Sequence, residues 1–144
     1  MNKKAFSFNQ VLLIDDSEID VLVNRRLMEL TSFSKNVVVA GSAEEALHYL
    51  KEECRSSDES PEWIFLDMNL PGKSGYDFID DFETLPEMIR EKSRIIILSV
   101  FQKPEHLQKA LDHPFVYCQL DKPLTQQALR ELVEKHLQSI SVSS

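Results

Sequence analysis

The spacing of hydrophobic and polar residues changes repeatedly along the chain, and each change marks an element. VLLI at 11–14 is an unbroken apolar run ended by two aspartates. Such a run, short and bounded by polar residues, reads as a strand buried on both faces. Comparable runs follow in NVVVAGS at 36–42, EWIFLD at 62–67, RIIILS at 94–99 and FVYCQL at 115–120. Between them apolar residues recur every three or four positions, which predicts helices. Ser17 can cap the first, with apolar positions Ile19, Leu22, Val23, Leu27 and Leu30. Ser42 opens the second, SAEEALHYLKEEC, whose Ala43, Ala46, Leu47 and Leu50 form one face; Glu45 is spaced for a capping box. GYDFIDDFETL at 75–85 is a short third helix, and Pro86 interrupts the chain beyond it. KPEHLQKALD at 103–112 is the fourth, with Pro104 tolerated in its first turn. LTQQALRELVEKHLQ at 124–138 is the fifth, with Thr125 as its cap.

Strands alternating with helices predict an α/β fold, a parallel sheet with helices on both faces. Ligands of such sheets sit beyond the carboxyl ends of the strands. One domain is expected over 9–139, followed by a short polar tail at 140–144, with no repeat or linker.

Composition narrows the partners. Hydrophobic residues make up 42% of 144, enough for one core. The formal charge is -8 and the Lys and Arg residues do not cluster, so nucleic-acid binding is disfavoured. Cys54 and Cys118 form no CxxC pair and read as free thiols of a reducing compartment. The N-terminal MNKKAFSFNQ has no apolar stretch after its lysines, and no membrane span is visible. The expected location is the cytoplasm.

Gly72-Lys73-Ser74 matches the end of a phosphate-cradling P-loop. That loop needs a glycine five residues before the Gly of GK, where this chain has Asp67. A carboxylate there would repel phosphate, so GKS is read as coincidence. Asp67 instead belongs with the other polar residues at strand ends. The first strand ends in Asp15-Asp16, the third in Asp67 and the fourth in Ser99, and Lys122-Pro123 follows the fifth. The fold brings these ends to one edge. Three carboxylates there repel one another unless a cation enters, and all-oxygen donors suit Mg²⁺. A carboxylate nucleophile, a metal, a hydroxyl and an ammonium together are equipment for phosphoryl transfer.

In LLIDDSE, IFLDMNLPGKSGYDF, IIILS and DKPL, the chain resembles the receiver domain of two-component response regulators, from about Gln10 to Gln138. The resemblance implies a flavodoxin-like (βα)5 three-layer sandwich with a five-stranded parallel sheet in order 2-1-3-4-5. It implies that Asp67 is the phosphoacceptor, taking a phosphoryl group from a sensor histidine kinase or a histidine phosphotransfer protein. Asp16, Asp15 (through water), Asp67 and the backbone carbonyl of Asn69 would bind Mg²⁺. Lys122 would pair with the acceptor and later with a phosphoryl oxygen, and Ser99 would donate its hydroxyl to the phosphoryl group. The Lys122-Pro123 bond would be cis. The implied protein is not a conventional enzyme but a signalling protein. It would act as a stand-alone regulator through a downstream protein target, with the fourth helix, fifth strand and fifth helix as output surface. A homodimer along the fifth strand's edge fits the same picture. The RSSDESP loop and overall composition resemble stand-alone regulators that partner bacterial phytochromes.

Two departures from the family stand out. Three residues before the lysine, where receivers carry an aromatic switch residue, is Gln119. Tyr117, two residues earlier, is expected on the same strand face by period two and becomes the candidate substitute. Val100 follows Ser99 where many receivers have alanine, and is expected to narrow access to the phosphoryl group. Three other classes compete. A haloacid dehalogenase-type phosphatase wants an acid where Asn69 stands. A flavodoxin wants a neutral phosphate loop where DDSEID stands. A non-phosphorylated scaffold of receiver fold is the remaining alternative.

Overall fold

In the computed structural model, which describes residues 5–100 and 104–142, strands and helices alternate as the sequence pattern predicts. Strand β1 (Phe8–Ile14) leads to helix α1 (Glu18–Leu30), then β2 (Ser34–Ala40) and α2 (Ala43–His48). A π-helical turn (Tyr49–Glu53) extends α2, and a 3₁₀ turn (Ser57–Glu59) precedes β3 (Trp63–Asp67). Helices α3 (Gly75–Phe82) and α4 (Glu87–Lys92) lead to β4 (Arg94–Ser99), α5 (Pro104–Leu111), β5 (Val116–Asp121) and α6 (Gln126–Val142). The strands form one parallel sheet in the order β2-β1-β3-β4-β5.

Period two sorts the strands into two cores. Leu12, Ile14, Ile64, Leu66, Ile95 and Ile97 face one side, with Leu50, Phe78, Phe82 and Leu107. Val11, Leu13, Phe65, Ile96 and Leu98 face the other, with Met28 of α1 and Leu129 and Leu132 of α6. Both faces of the central strands are buried, which is why they read as continuous apolar runs.

The local caps form. Ser17 accepts from the Asp20 N–H at 3.2 Å, and Thr125 accepts from the Ala128 N–H at 3.1 Å. Ser42 accepts from the Glu45 N–H at 3.1 Å, but the Glu45 carboxylate reaches the Gly41 N–H instead of closing on Ser42. Several boundaries differ from expectation. β1 starts at Phe8, whose ring packs against Phe33 at 5.0 Å and Trp63 at 5.6 Å. Its polar Asn9 and Gln10 hid that start; both backbone N–H groups donate to the Glu62 carboxylate. Pro86 does not merely interrupt a helix but opens α4, since a proline has no N–H to lose at a helix start. α6 runs to Val142, so part of the expected polar tail is helical. The N-terminal residues 1–4 and the tail residues 143–144 lie outside the described residues.

Helix α1 corrects the sequence reading most. Ile19, Leu22, Val23 and Leu30 are exposed, Ile19 at 74% and Leu22 at 71%. The buried residues of α1 are Asn24 and Met28, with Val21 and Leu27 partly buried against the same core. At about 100° per residue the two stripes lie on opposite sides of the helix. Both are apolar, and only the docking of the helix onto the sheet chooses between them. Among the described residues no helix is long and apolar enough to cross a membrane.

Candidate functional site

The carboxyl ends of β1, β3, β4 and β5 meet at one edge of the sheet. Asp67 is the last residue of β3 and 4% exposed. Its Oδ1 accepts from the Asn69 N–H at 3.0 Å and lies 3.1 Å from Lys122 Nζ. Asp15, just after β1, is 2% exposed; its Oδ1 accepts from the Ser17 N–H at 2.9 Å. Asp15 Oδ2 is buried without a hydrogen-bond partner, and Lys122 Nζ is 3.8 Å away, too far for such a bond. Asp16 is exposed at the rim. One carboxylate oxygen each from Asp15, Asp16 and Asp67 lie within 4.8 Å of one another.

Electrostatics at this edge are unbalanced. Burial pushes the Asp15 carboxyl above its ordinary range. The Ser17 N–H and the Lys122 ammonium oppose that, and the Asp67 and Asp20 charges add to it. Asp20, which sequence reasoning missed, sits in the first turn of α1 with Oδ2 3.8 Å from Lys122 Nζ. Its one signal was position, one helical turn after Asp16. Three carboxylates, Asp15, Asp20 and Asp67, thus lie within 3.8 Å of Lys122, with Asp16 beside two of them at the rim. Hard oxygen donors in excess, one of them buried and unpartnered, fit a divalent cation such as Mg²⁺.

The loop after β3 explains GKS. Gly72 has φ 71°, a left-handed conformation that glycine adopts without strain. Ser74 caps α3 by accepting from the Asp77 N–H, and the Asp77 carboxylate returns to the Ser74 N–H. Lys73 pairs with Asp81 of α3. The tripeptide is therefore a turn and a helix cap. Gly75 is held close to the acceptor strand. A Cβ there would lie 2.9 Å from Met68 Cα and 3.3 Å from the Asp67 carbonyl oxygen.

On the β5 side the Lys122-Pro123 bond is cis. The Lys122 N–H donates to the Ser99 carbonyl at 2.9 Å, tying the lysine to β4. Ser99 is 2% exposed, and its Oγ accepts from Gln119 Nε2 at 2.9 Å. Val100 is 56% exposed and, with Asp20, Val23, Asn24, Lys122, Pro123 and Leu124, lines a cavity of about 340 Å³ beside the lysine.

Tyr117 is not on the face of Gln119. Ile95 pairs with Val116 but Ile96 pairs with Cys118, so β5 carries one extra residue at Tyr117. Such a bulge breaks the alternation. The Tyr117 ring packs edge-on against Trp63 at 5.0 Å, over the core of α1 and α6. Gln119, paired with Ile97, reaches Ser99 on the other side. The period-two expectation fails because it assumes an unbroken ladder.

A family model described as "Response regulator receiver domain" matches residues 11–134. No curated protein matches the chain. Among solved structures, a two-component response regulator from Cytophaga hutchinsonii is 31% identical with a TM-score of 0.81, covering 90% of this chain and 97% of its own. A response regulator receiver protein from Dyadobacter fermentans is 25% identical with a TM-score of 0.76, covering 88% and 95%. The bacteriophytochrome response regulator RtBRR, 20% identical with a TM-score of 0.72 over 88% and 76%, shares the fold. With the strand order and this match over most of its length, the chain belongs to the response regulator receiver domain family.

Proposed function

We propose that this receiver domain accepts a phosphoryl group on Asp67 from a histidine kinase or histidine phosphotransfer protein, with Mg²⁺. The observation that carries the reading is the Asp67 carboxylate itself. It is nearly buried, fixed by the Asn69 N–H and Lys122 Nζ, and grouped with Asp15 and Asp16. One Asp67 oxygen forms the new O–P bond as the donor's P–N bond breaks, and the bonding pair stays on the histidine nitrogen. Asp15, Asp16, Asp67 and the Asn69 carbonyl would hold the Mg²⁺, which supplies positive charge against the phosphoryl oxygens. Lys122, already at Asp67, adds a second positive charge, and Ser99 donates its hydroxyl.

The partner half of the reading rests on α1. Its exposed Ile19, Leu22, Val23 and Leu30 form an apolar stripe starting beside Asp15 and Asp16. An apolar helix face next to a reacting group suits a helical donor protein laid against it. Phosphorylated chain would then bind a downstream protein. The edge strand β5, paired with β4, gives a route to a homodimer in the same scheme.

Intact mass after incubation with acetyl phosphate and Mg²⁺, beside Asp67→Asn, tests the proposal. One added phosphoryl group, absent in the variant and without Mg²⁺, is the expected result. No gain in mass, together with no Mg²⁺ binding in a titration, would leave a scaffold of receiver fold instead.

A further inference from the structure

Gln119 occupies the position where the family carries an aromatic ring, and its amide is held at both hydrogens. Nε2 lies 2.9 Å from Ser99 Oγ and 2.9 Å from Asp121 Oδ1. Asp121, opposite Ser99 in the β4–β5 register, decides which way the amide points. A carboxylate only accepts, so the amide oxygen cannot take that place without facing another oxygen with no proton between them. With the nitrogen fixed there, its second hydrogen goes to Ser99. Ser99 Oγ then accepts from Gln119, and its own proton is left for another acceptor.

We propose that Gln119, oriented by Asp121, is a positioning residue that sets Ser99 as a hydrogen-bond donor toward the phosphoryl group on Asp67. Asp67 pairs with Leu98, the residue before Ser99, so the hydroxyl stands at the same sheet edge as the acceptor. The inference rests on the phosphoacceptor reading above. An aromatic side chain at this position has no amide N–H to give Ser99 and leaves the hydroxyl free to rotate. Gln119 replaces a ring that changes place with a hydrogen bond already made.

Reversing the polarity at residue 119 tests this. In Gln119→Glu at pH 8 the ionised side chain can only accept and is repelled by Asp121, so Ser99 loses its donor and its own proton is free to turn toward residue 119. Gln119→Met removes the donor at similar size. Phosphoryl uptake from acetyl phosphate with Mg²⁺ is followed by intact mass in each variant, alone and in a Ser99→Ala background. Uptake is expected to slow about tenfold in Gln119→Glu and less in Gln119→Met, as for a misdirected charge-assisted donor. In the Ser99→Ala background neither substitution should slow it further. A purely structural or through-space effect would persist without the hydroxyl, and equal slowing in both backgrounds overturns the inference. So does uptake by Gln119→Glu at the parent rate. A parent chain that neither takes up a phosphoryl group nor binds Mg²⁺ overturns the phosphoacceptor reading itself, an outcome separable from the others.

Discussion

Asp15 Oδ2 and Lys122 Nζ face each other across 3.8 Å, close enough to attract and too far to bond. The buried oxygen is left without a donor, while Lys122 stands nearer to Asp67, at 3.1 Å. A buried oxygen without a donor costs folding free energy, and together with the Asp16 and Asp67 oxygens it offers a cation a ligand position.

Asp15→Asn therefore should make the metal-free protein more stable at neutral pH while weakening Mg²⁺ binding. Burial raises the Asp15 pKa in the folded state. A raised folded pKa means that the cost of ionisation is absent below the unfolded value and appears as pH rises through the folded one. The variant's gain, about 1 kcal/mol as for relieving one buried polar mismatch, should be present at pH 7 and disappear in acid. Thermal melts with EDTA at pH 7 and pH 3.5, with a Mg²⁺ titration, read both effects. A variant less stable than the parent at pH 7 would contradict the prediction.

Gly75 and Gly72 should respond differently to alanine. A methyl at Gly75 meets Met68 Cα at 2.9 Å, and backbone cannot move aside as a flexible side chain can. Gly75→Ala should destabilise by about 1–3 kcal/mol and slow phosphoryl uptake by shifting the Asp67 turn. Gly72 has open space around it but a positive φ. Gly72→Ala should cost about 1 kcal/mol and leave uptake near the parent rate. Urea titrations and the mass assay separate the two.

Tyr117→Ala should leave phosphoryl uptake unchanged, because the ring lies on the sheet face opposite the Gln119 amide. It should cost about 0.5–1.5 kcal/mol from the lost edge-to-face pair with Trp63. Trp63 is the single tryptophan, so its emission reports the change directly. Slowed uptake at unchanged emission would put Tyr117 back into the switch.

Both thiols should be sluggish. Burial pushes the Cys54 and Cys118 thiols up, outweighing the Tyr49 hydroxyl at Cys54 and the Lys135 charge at Cys118. A raised pKa leaves less thiolate at pH 8 in the folded chain than in the unfolded one. Reaction with an aromatic disulfide reagent should be at least about tenfold slower in buffer than in urea. Equal rates would show that neither thiol is shielded.

What depends on neighbours in the chain was legible before any fold was known. The apolar runs VLLI and RIIILS and the capping by Ser17, Ser42 and Thr125 set strands and helix starts. Polar residues that end apolar runs had to lie at strand ends, so Asp15, Asp67, Ser99 and the Lys122-Pro123 pair were legible there. Tertiary structure decided what depends on packing between distant segments. α1 has two apolar stripes on opposite sides, and only contact with the sheet buries Met28, partly covers Val21 and leaves Ile19 and Leu22 in solvent. The bulge at Tyr117 arises from pairing with β4, so no count along β5 alone could place that ring. Asp20 near Lys122, and the Gln119 amide on Ser99, join residues far apart in the chain. Backbone periodicity is a local property, whereas hydrogen-bond partners and the choice of buried face are fixed only when separate elements meet.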